Sequence, residues 1–115
     1  MLYNWDMGIG IMVRKRKLAS TGKQLKTAKQ MERHLKGIAN HRRIDVILLV
    51  AKEPGITVEG IAENLDCNYN TLSIHIAKLK QAGLLDKKYK GRNVGHTLTP
   101  YGGIFVTFLK SFQHL

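Results

Sequence analysis

The sequence predicts a mainly α-helical fold with a small β-hairpin, and three observations lead to that prediction. Apolar residues recur at helical spacing in several segments between residues 21 and 112. Two short segments near residues 85–98 flank a turn that contains glycine and asparagine. The chain has 115 residues, of which 43% are hydrophobic, so it is long and apolar enough to form one small domain with a core.

The first predicted helix runs from near Thr21 to near Ala39, and its apolar residues fall on one face. Asn40 is placed to cap a second helix, which Pro54-Gly55 then terminates. The apolar positions of the first helix are Leu25, Ala28, Met31, Leu35 and Ile38, and those of the second are Ile44, Ile47, Leu48 and Ala51.

Residues 57–85 predict two further short helices separated by a tight turn. Thr57 and Asn68 are residue types that cap helix N-termini, Asp66 tolerates left-handed backbone angles in the turn, and Gly83 ends the second helix. The apolar stripe of that second helix is Leu72, Ile76 and Leu79. This layout is a helix-turn-helix, whose second helix enters the DNA major groove.

A hairpin and a last helix follow the motif. Residues 85–89 and 94–98 read as strands joined by a turn at 90–93, and Ile56 is expected to add a short strand to them. Thr99 caps the last helix, with a proline at its first position. The apolar residues of that helix are Ile104, Phe105, Phe108, Leu109 and Phe112.

Several short strings in this region resemble a known family. Asn70-Thr71-Leu72-Ser73, His75-Ile76, Leu79 and Ala82-Gly83-Leu84-Leu85 resemble the recognition helix and first wing strand of winged helix-turn-helix repressors, closest to the ArsR group and the related MarR group. Leu98-Thr99-Pro100-Tyr101-Gly102 is similar to the segment that closes the wing in such regulators. The resemblance covers roughly residues 40–102, and it departs from the family at Asp66, where glycine is usual. It implies a winged helix-turn-helix with extension helices at both ends.

Charge is unevenly distributed along the chain. The formal net charge is +11, with 11 basic and 2 acidic residues in 1–43, 3 and 5 in 44–83, and 5 and 1 in 84–115. Cations on both sides of a nearly neutral motif fit phosphate contacts that flank a base-reading element, although basic flanks can equally be a solvated surface. Residues 1–20, which include the run Arg14–Lys17, are interpreted as a basic arm, either on DNA or merely solubilising, and residues 21–115 as the domain.

Base contacts are predicted on the exposed face of the second motif helix, at Asn70, Thr71, Ser73, Ile74 and Lys78. Short polar side chains near the N-terminus of such a helix reach base edges, and an apolar side chain can contact a thymine methyl. The alternative is that Asn70 and Ser73 are ordinary polar residues of a first helical turn.

Phosphate contacts are predicted at Tyr69, His75, Lys87, Lys88, Lys90 and Arg92. Three alternatives stay open: Tyr69 packs beside the first motif helix, His75 is a half-buried structural residue, and the hairpin cations are simply solvated. A homodimer interface is predicted from the apolar faces of the terminal helices, at Leu25, Met31, Leu35, Ile104, Phe105, Phe108, Leu109 and Phe112.

No catalytic residue, metal or cofactor is predicted. The five histidines show no close pairing, and no cysteine lies near the first motif helix, where thiol-based metal sensors of the ArsR group need a pair. The single cysteine, Cys67, suits a reducing cytoplasm, and no apolar run reaches membrane-spanning length. The predicted function is sequence-specific binding of double-stranded DNA as a homodimeric transcriptional regulator. The alternatives are a winged-helix module for protein interaction and an RNA-binding module.

Overall fold

The computed structural model describes residues 24–115, so the predicted basic arm at 1–20 lies outside the described residues. The chain divides into two compact units, residues 1–31 and residues 32–115. The described helices and strands follow one another in the order α1 (Ala28–Ile38), α2 (His41–Lys52), β1 (Ile56–Thr57), α3 (Val58–Leu65), α4 (Tyr69–Gln81), β2 (Leu85–Lys90), β3 (Asn93–Leu98) and α5 (Pro100–Gln113).

The first described helix begins later than the sequence suggested. Residues 24–27 are not helical, and α1 starts at Ala28. The prediction of a helix from near Thr21 to near Ala39 was therefore wrong for residues 24–27. The reason is a reciprocal cap: the Thr27 hydroxyl accepts from the Gln30 amide at 3.1 Å, and the Gln30 side chain accepts from the Thr27 amide at 2.8 Å. Such a pair satisfies two otherwise unpaired donors and fixes the helix start.

The predicted caps of the other helices are confirmed. The Asn40 side chain accepts from two amides of the first turn of α2. Thr57 accepts from one amide of α3 and Asn68 from one amide of α4, each at 3.1 Å. Asp66 adopts left-handed angles with φ of 51°, which is the turn conformation that its residue type tolerates. The two motif helices are therefore bounded by side chains that lie within the motif itself.

The core of the second unit lies between α2, α3, α4 and the sheet. The predicted stripe of α4 is buried completely or nearly so, and it packs with apolar residues of the neighbouring elements. The largest fully buried apolar side chains are Val46, Ile47, Val50, Ile61, Leu72, Leu79 and Leu84. Because one side of α4 is anchored in this way, its opposite side is held outward.

The three strands form one antiparallel sheet in the order β1-β3-β2. Ile56 pairs with His96, which confirms the predicted short strand, and β2 and β3 form a hairpin paired from Leu85↔Leu98 to Lys90↔Asn93. A side chain at Gly95 would have its Cβ 2.3 Å from the carbonyl oxygen of Gly55, so this close approach requires glycine. The fold is a winged helix-turn-helix, as the sequence predicted.

The last helix begins against the end of α4. The Thr99 hydroxyl accepts from the Gly102 amide at 3.0 Å and donates to the Gly83 carbonyl at 2.6 Å. A Cβ on Gly102 would lie 2.2 Å from the Leu84 carbonyl oxygen, so this glycine lets α5 approach the chain that leads into the wing. None of the described helices combines the length and the apolar character needed to cross a membrane.

Candidate nucleic-acid interface

The outward side of α4 carries most of the residues predicted to contact bases. Asn70, Thr71, Ile74 and Lys78 are exposed, and Ile74 has 58% of its surface accessible. Ser73 is half-buried, and its hydroxyl donates to the Tyr69 carbonyl at 3.0 Å within the helix. The serine hydrogen is thus engaged with the backbone, and its oxygen lone pairs remain as acceptors.

Asn70 is the polar side chain best placed to act on a ligand. It lies in the first turn of α4, and within residues 24–115 no hydrogen bond of its side chain is found. The capping task at this end belongs to Asn68, whose side chain accepts from Thr71. An amide that is exposed and unengaged can offer both a donor and an acceptor to one base edge.

The wing carries four exposed cations, one of which reaches an edge of α4. Lys87, Lys88, Lys90 and Arg92 are all exposed on the hairpin, with Arg92 in the turn. Lys87 approaches Lys80 of α4, and the pKa of Lys80 is lowered by burial and also by the hydrogen bond and the charge of Lys87. Sequence reasoning did not single out Lys80, although its position two residues after Lys78 puts it on a different edge of the helix.

The opposite edge of α4 faces two arginines that sequence reasoning counted only as part of a basic flank. Arg43 Nη1 lies 3.4 Å from Nδ1 of His75, and Arg42 Nη1 donates to the Leu65 carbonyl at 3.4 Å. Both arginines occupy the first turn of α2. The Asn40 cap was readable from the sequence and could have indicated that the arginines lie at this helix end, but not that α4 lies beside it.

His75 is half-buried between these groups. Its pKa is lowered from the usual value, first by burial and then by the charges of Arg43, His41, Arg42 and Lys78. A histidine with a lowered pKa is mainly neutral at pH 7. His75 thus contacts Arg43 within the fold, in keeping with the structural role, and lies beside a cluster of cations. Its contact with a phosphate stays a prediction.

The apolar side chains of α5 divide into two groups. Phe105 and Leu109 are half-buried and pack against the core, whereas Ile104, Phe108 and Phe112 are 66%, 57% and 62% exposed. The rings of Phe108 and Phe112 stack with their centroids 5.6 Å apart.

Three further apolar residues of the predicted interface are exposed: Leu25 and Met31 in the first unit and Leu35 in the second. Within residues 24–115 no group of three metal-ligating side chains is found. Cys67 is half-buried and packs on the core.

The comparisons with known proteins agree with this geometry. Residues 40–87 match the family described as bacterial regulatory protein, arsR family. Residues 40–87, less than half of the chain, are therefore similar to the helix-turn-helix of that family. The matched ArsR-family segment runs from the Asn40 cap to the start of the wing, so it includes both motif helices and the arginines beside α4. Among curated proteins, none is significantly similar to this chain.

Solved structures with the same fold are numerous, and three show its range. HlyU from Vibrio cholerae has a TM-score of 0.70 at 22% identity, over 80% of this chain and 100% of that one. The homodimeric winged helix-turn-helix DNA-binding domain of a possible ArsR-family transcriptional regulator from Mycobacterium bovis has a TM-score of 0.68 at 24% identity, over 88% and 87%. The transcriptional repressor PagR of Bacillus anthracis has a TM-score of 0.65 at 20% identity, over 70% and 93%.

These structural likenesses establish the fold of the chain. The matched family is described as bacterial regulatory proteins, and structural neighbours such as PagR of Bacillus anthracis and HlyU from Vibrio vulnificus are described as a transcriptional repressor and a transcriptional regulator. The chain therefore has the winged helix-turn-helix fold and a segment, residues 40–87, that is similar to the ArsR family of bacterial regulatory proteins.

Proposed function

We propose that this chain binds double-stranded DNA in a sequence-specific manner as a homodimer and regulates transcription in the cytoplasm. In this proposal α4 enters the major groove, Asn70, Thr71, Ser73 and Ile74 contact bases, and the cations beside the helix contact phosphates. Sequence specificity then comes from α4, and most of the salt-dependent affinity comes from the residues beside it.

The observation that carries this proposal is the composition of the exposed side of α4. An unengaged amide at Asn70 and an exposed isoleucine at position 74 stand side by side, because residues four apart lie on the same helix face. Ile74 is a large apolar side chain on this exposed face, and the major groove offers it thymine methyl groups. The wing carries exposed cations, and one of them, Lys87, meets α4 at Lys80.

The dimer part of the proposal rests on the exposed apolar side chains of α5. Ile104, Phe108 and Phe112 recur at spacings of four residues and form a continuous stripe. Contiguous apolar surface of this kind marks an interface. A homodimer with two-fold symmetry would present two copies of α4, which can read two half-sites about 34 Å apart. The solved ArsR-type domain from Mycobacterium bovis is a homodimer, which supports the same arrangement.

Selection of bound duplexes from a pool of random DNA tests the proposal. The wild-type chain is expected to enrich a two-fold symmetric sequence, and single-stranded RNA is expected not to compete with the enriched duplex. Enrichment of no sequence, with equal retention of all duplexes, would remove base reading and leave a basic surface only. Displacement by RNA would favour the RNA-binding alternative. Failure to retain any duplex at low salt would favour a protein-interaction module.

A further inference from the structure

A cationic cleft lies where α1, α2 and α4 meet. Its volume is about 360 Å³, and it is lined by four basic side chains together with Gln81 and the small residues Gly37 and Ala82. The four basic residues come from three elements: Arg33 and Lys36 from α1, Arg43 from α2, and Lys78 from α4. Among residues 24–115 no carboxylate lines the cleft, so a group that enters it meets positive charge and hydrogen-bond donors.

Lys36 and Arg33 have partners that reduce their availability to a ligand. Lys36 forms an exposed ion pair with Glu32 at 3.0 Å, which is worth little in water. Arg33 donates to the Gln81 carbonyl and thereby offsets the negative end of α4. These two residues therefore contribute less to binding than their charges suggest.

Arg43 and Lys78 are the cations best placed to bind a ligand. Arg43 contacts His75 through Nη1 at 3.4 Å, but its buried Nε has no hydrogen-bond partner within the described structure, and an unpaired buried donor is destabilising. Lys78 is exposed at the edge of the cleft. An oxyanion bound between them would give both residues acceptors.

The position of the cleft relative to α4 indicates which oxyanion it receives. Successive residues of a helix are rotated by about 100°, so Lys78 and Lys80 lie about 200° apart around α4. Lys80 is on the edge that meets Lys87 of the wing, and Lys78 is on the edge that lines the cleft. The exposed face with Asn70 and Ile74 lies between these edges. A helix in the major groove has a sugar-phosphate backbone on each side.

We propose that this cleft binds a phosphate of the DNA backbone, on the edge of α4 away from the wing, through Arg43 and Lys78. The inference rests on the proposed DNA-binding function and deepens it, because it gives α4 a second phosphate contact opposite the wing. It also reassigns Lys78 from the predicted base contacts to a phosphate contact. Arg33 and the Gly37–Ala82 packing hold the walls of the cleft in place.

The test is the salt dependence of duplex binding by three variants. Lys78→Gln is expected to lower the slope of log affinity against log salt by about one unit, and Lys78→Gln with Arg43→Gln by about two, equally on the selected duplex and on an unrelated one. Lys110→Gln removes an exposed cation of α5 outside the cleft and is expected to leave the slope unchanged. Lys78→Gln changes an exposed side chain, so folding is not at issue for that variant.

A second readout identifies the phosphate. Single methylphosphonate linkages, each of which removes one phosphate charge, are placed along the selected duplex. One linkage is expected to weaken wild-type binding and to have no further effect on Lys78→Gln, since the two changes remove the same contact.

Unchanged slopes and fully additive effects, in a wild-type protein that binds the duplex, would overturn the inference and leave the proposed function intact. Saturable binding of inorganic phosphate to the free protein with unchanged duplex slopes would assign the cleft to a small anion and also overturn it. A wild-type protein that binds no duplex would instead refute the proposed function.

Discussion

Two asparagines at the start of α4, Asn68 and Asn70, allow the contribution of this region to folding to be measured separately from its contribution to base recognition. Asn68 accepts a hydrogen bond from the Thr71 amide at 3.1 Å and caps the helix, whereas no hydrogen bond of the Asn70 side chain is found within residues 24–115. The two residues have the same chemistry and lie two positions apart. Replacing each by alanine should therefore produce opposite patterns of stability and DNA affinity.

The magnitudes follow from these two environments. Asn68→Ala removes a cap and should lower the free energy of unfolding by about 1 kcal/mol, which lowers Tm by about 4–8 °C in a domain of this size. Asn70→Ala removes no intramolecular bond and should leave Tm almost unchanged. If Asn70 pairs with an adenine, its loss costs about 1–3 kcal/mol of discrimination between bases. A cost above about 1.4 kcal/mol lowers the specific affinity by about tenfold or more.

Thermal unfolding and fluorescence anisotropy measure the two quantities. Anisotropy is recorded with the selected duplex and with a scrambled duplex of equal length, well below the Tm of both variants. Asn70→Ala should weaken binding to the selected duplex only, and Asn68→Ala should shift Tm without a selective loss. Two results would refute the reasoning: a Tm drop in Asn70→Ala as large as that in Asn68→Ala, or an equal loss of affinity for both duplexes.

Three further predictions concern the wing, the apolar face and a buried histidine. Lys88→Ala or Arg92→Ala should weaken binding to all duplexes alike and lower the salt slope by about one unit; a changed sequence preference would show that the wing reads bases. The wild-type chain should be a dimer and Phe108→Asp a folded monomer by light scattering, since a charge in an apolar interface is unfavourable; a wild-type monomer would contradict this. Burial lowers the pKa of His96. A hydrogen bond to the Ile56 carbonyl raises this pKa, but the charges of Lys80 and Lys87 lower it further. The unfolded chain therefore takes up the proton first, so stability present above about pH 6.5 falls as the pH drops towards the folded-state pKa. His96→Gln should reduce the pH dependence of Tm in thermal unfolding. The same pH profile of Tm in wild type and variant would contradict this prediction.

The motif could be predicted from the sequence because its signals are local. The caps Asn40, Thr57, Asn68 and Thr99 act on amides two or three residues away, and Asp66 sets its own backbone angles. Such interactions leave a residue type at a fixed position. They are therefore visible without knowledge of the rest of the fold.

The start of α1 and the cluster beside α4 could not be read in the same way. Apolar spacing continued through residue 25, so periodicity extended α1 past the cap formed by Thr27 and Gln30. Arg43 meets His75 across 32 residues of sequence, and Arg33 meets Gln81 across 48. Contacts between such distant positions leave no periodic pattern in the sequence. The cationic edge of α4 beside Arg43 is therefore visible only in the folded structure.

The C-terminal end of α4 is held by α1 at two successive carbonyls. Arg33 donates to the carbonyl of Gln81, His34 Nδ1 hydrogen bonds to that of Ala82, and a Cβ on Gly37 would overlap Ala82. Neither helix can slide along the other without breaking these bonds. A rotation of this part of α1 would therefore be transmitted to the C-terminal end of α4. It would change the angle at which the N-terminal end of α4, with Asn70, projects from the protein.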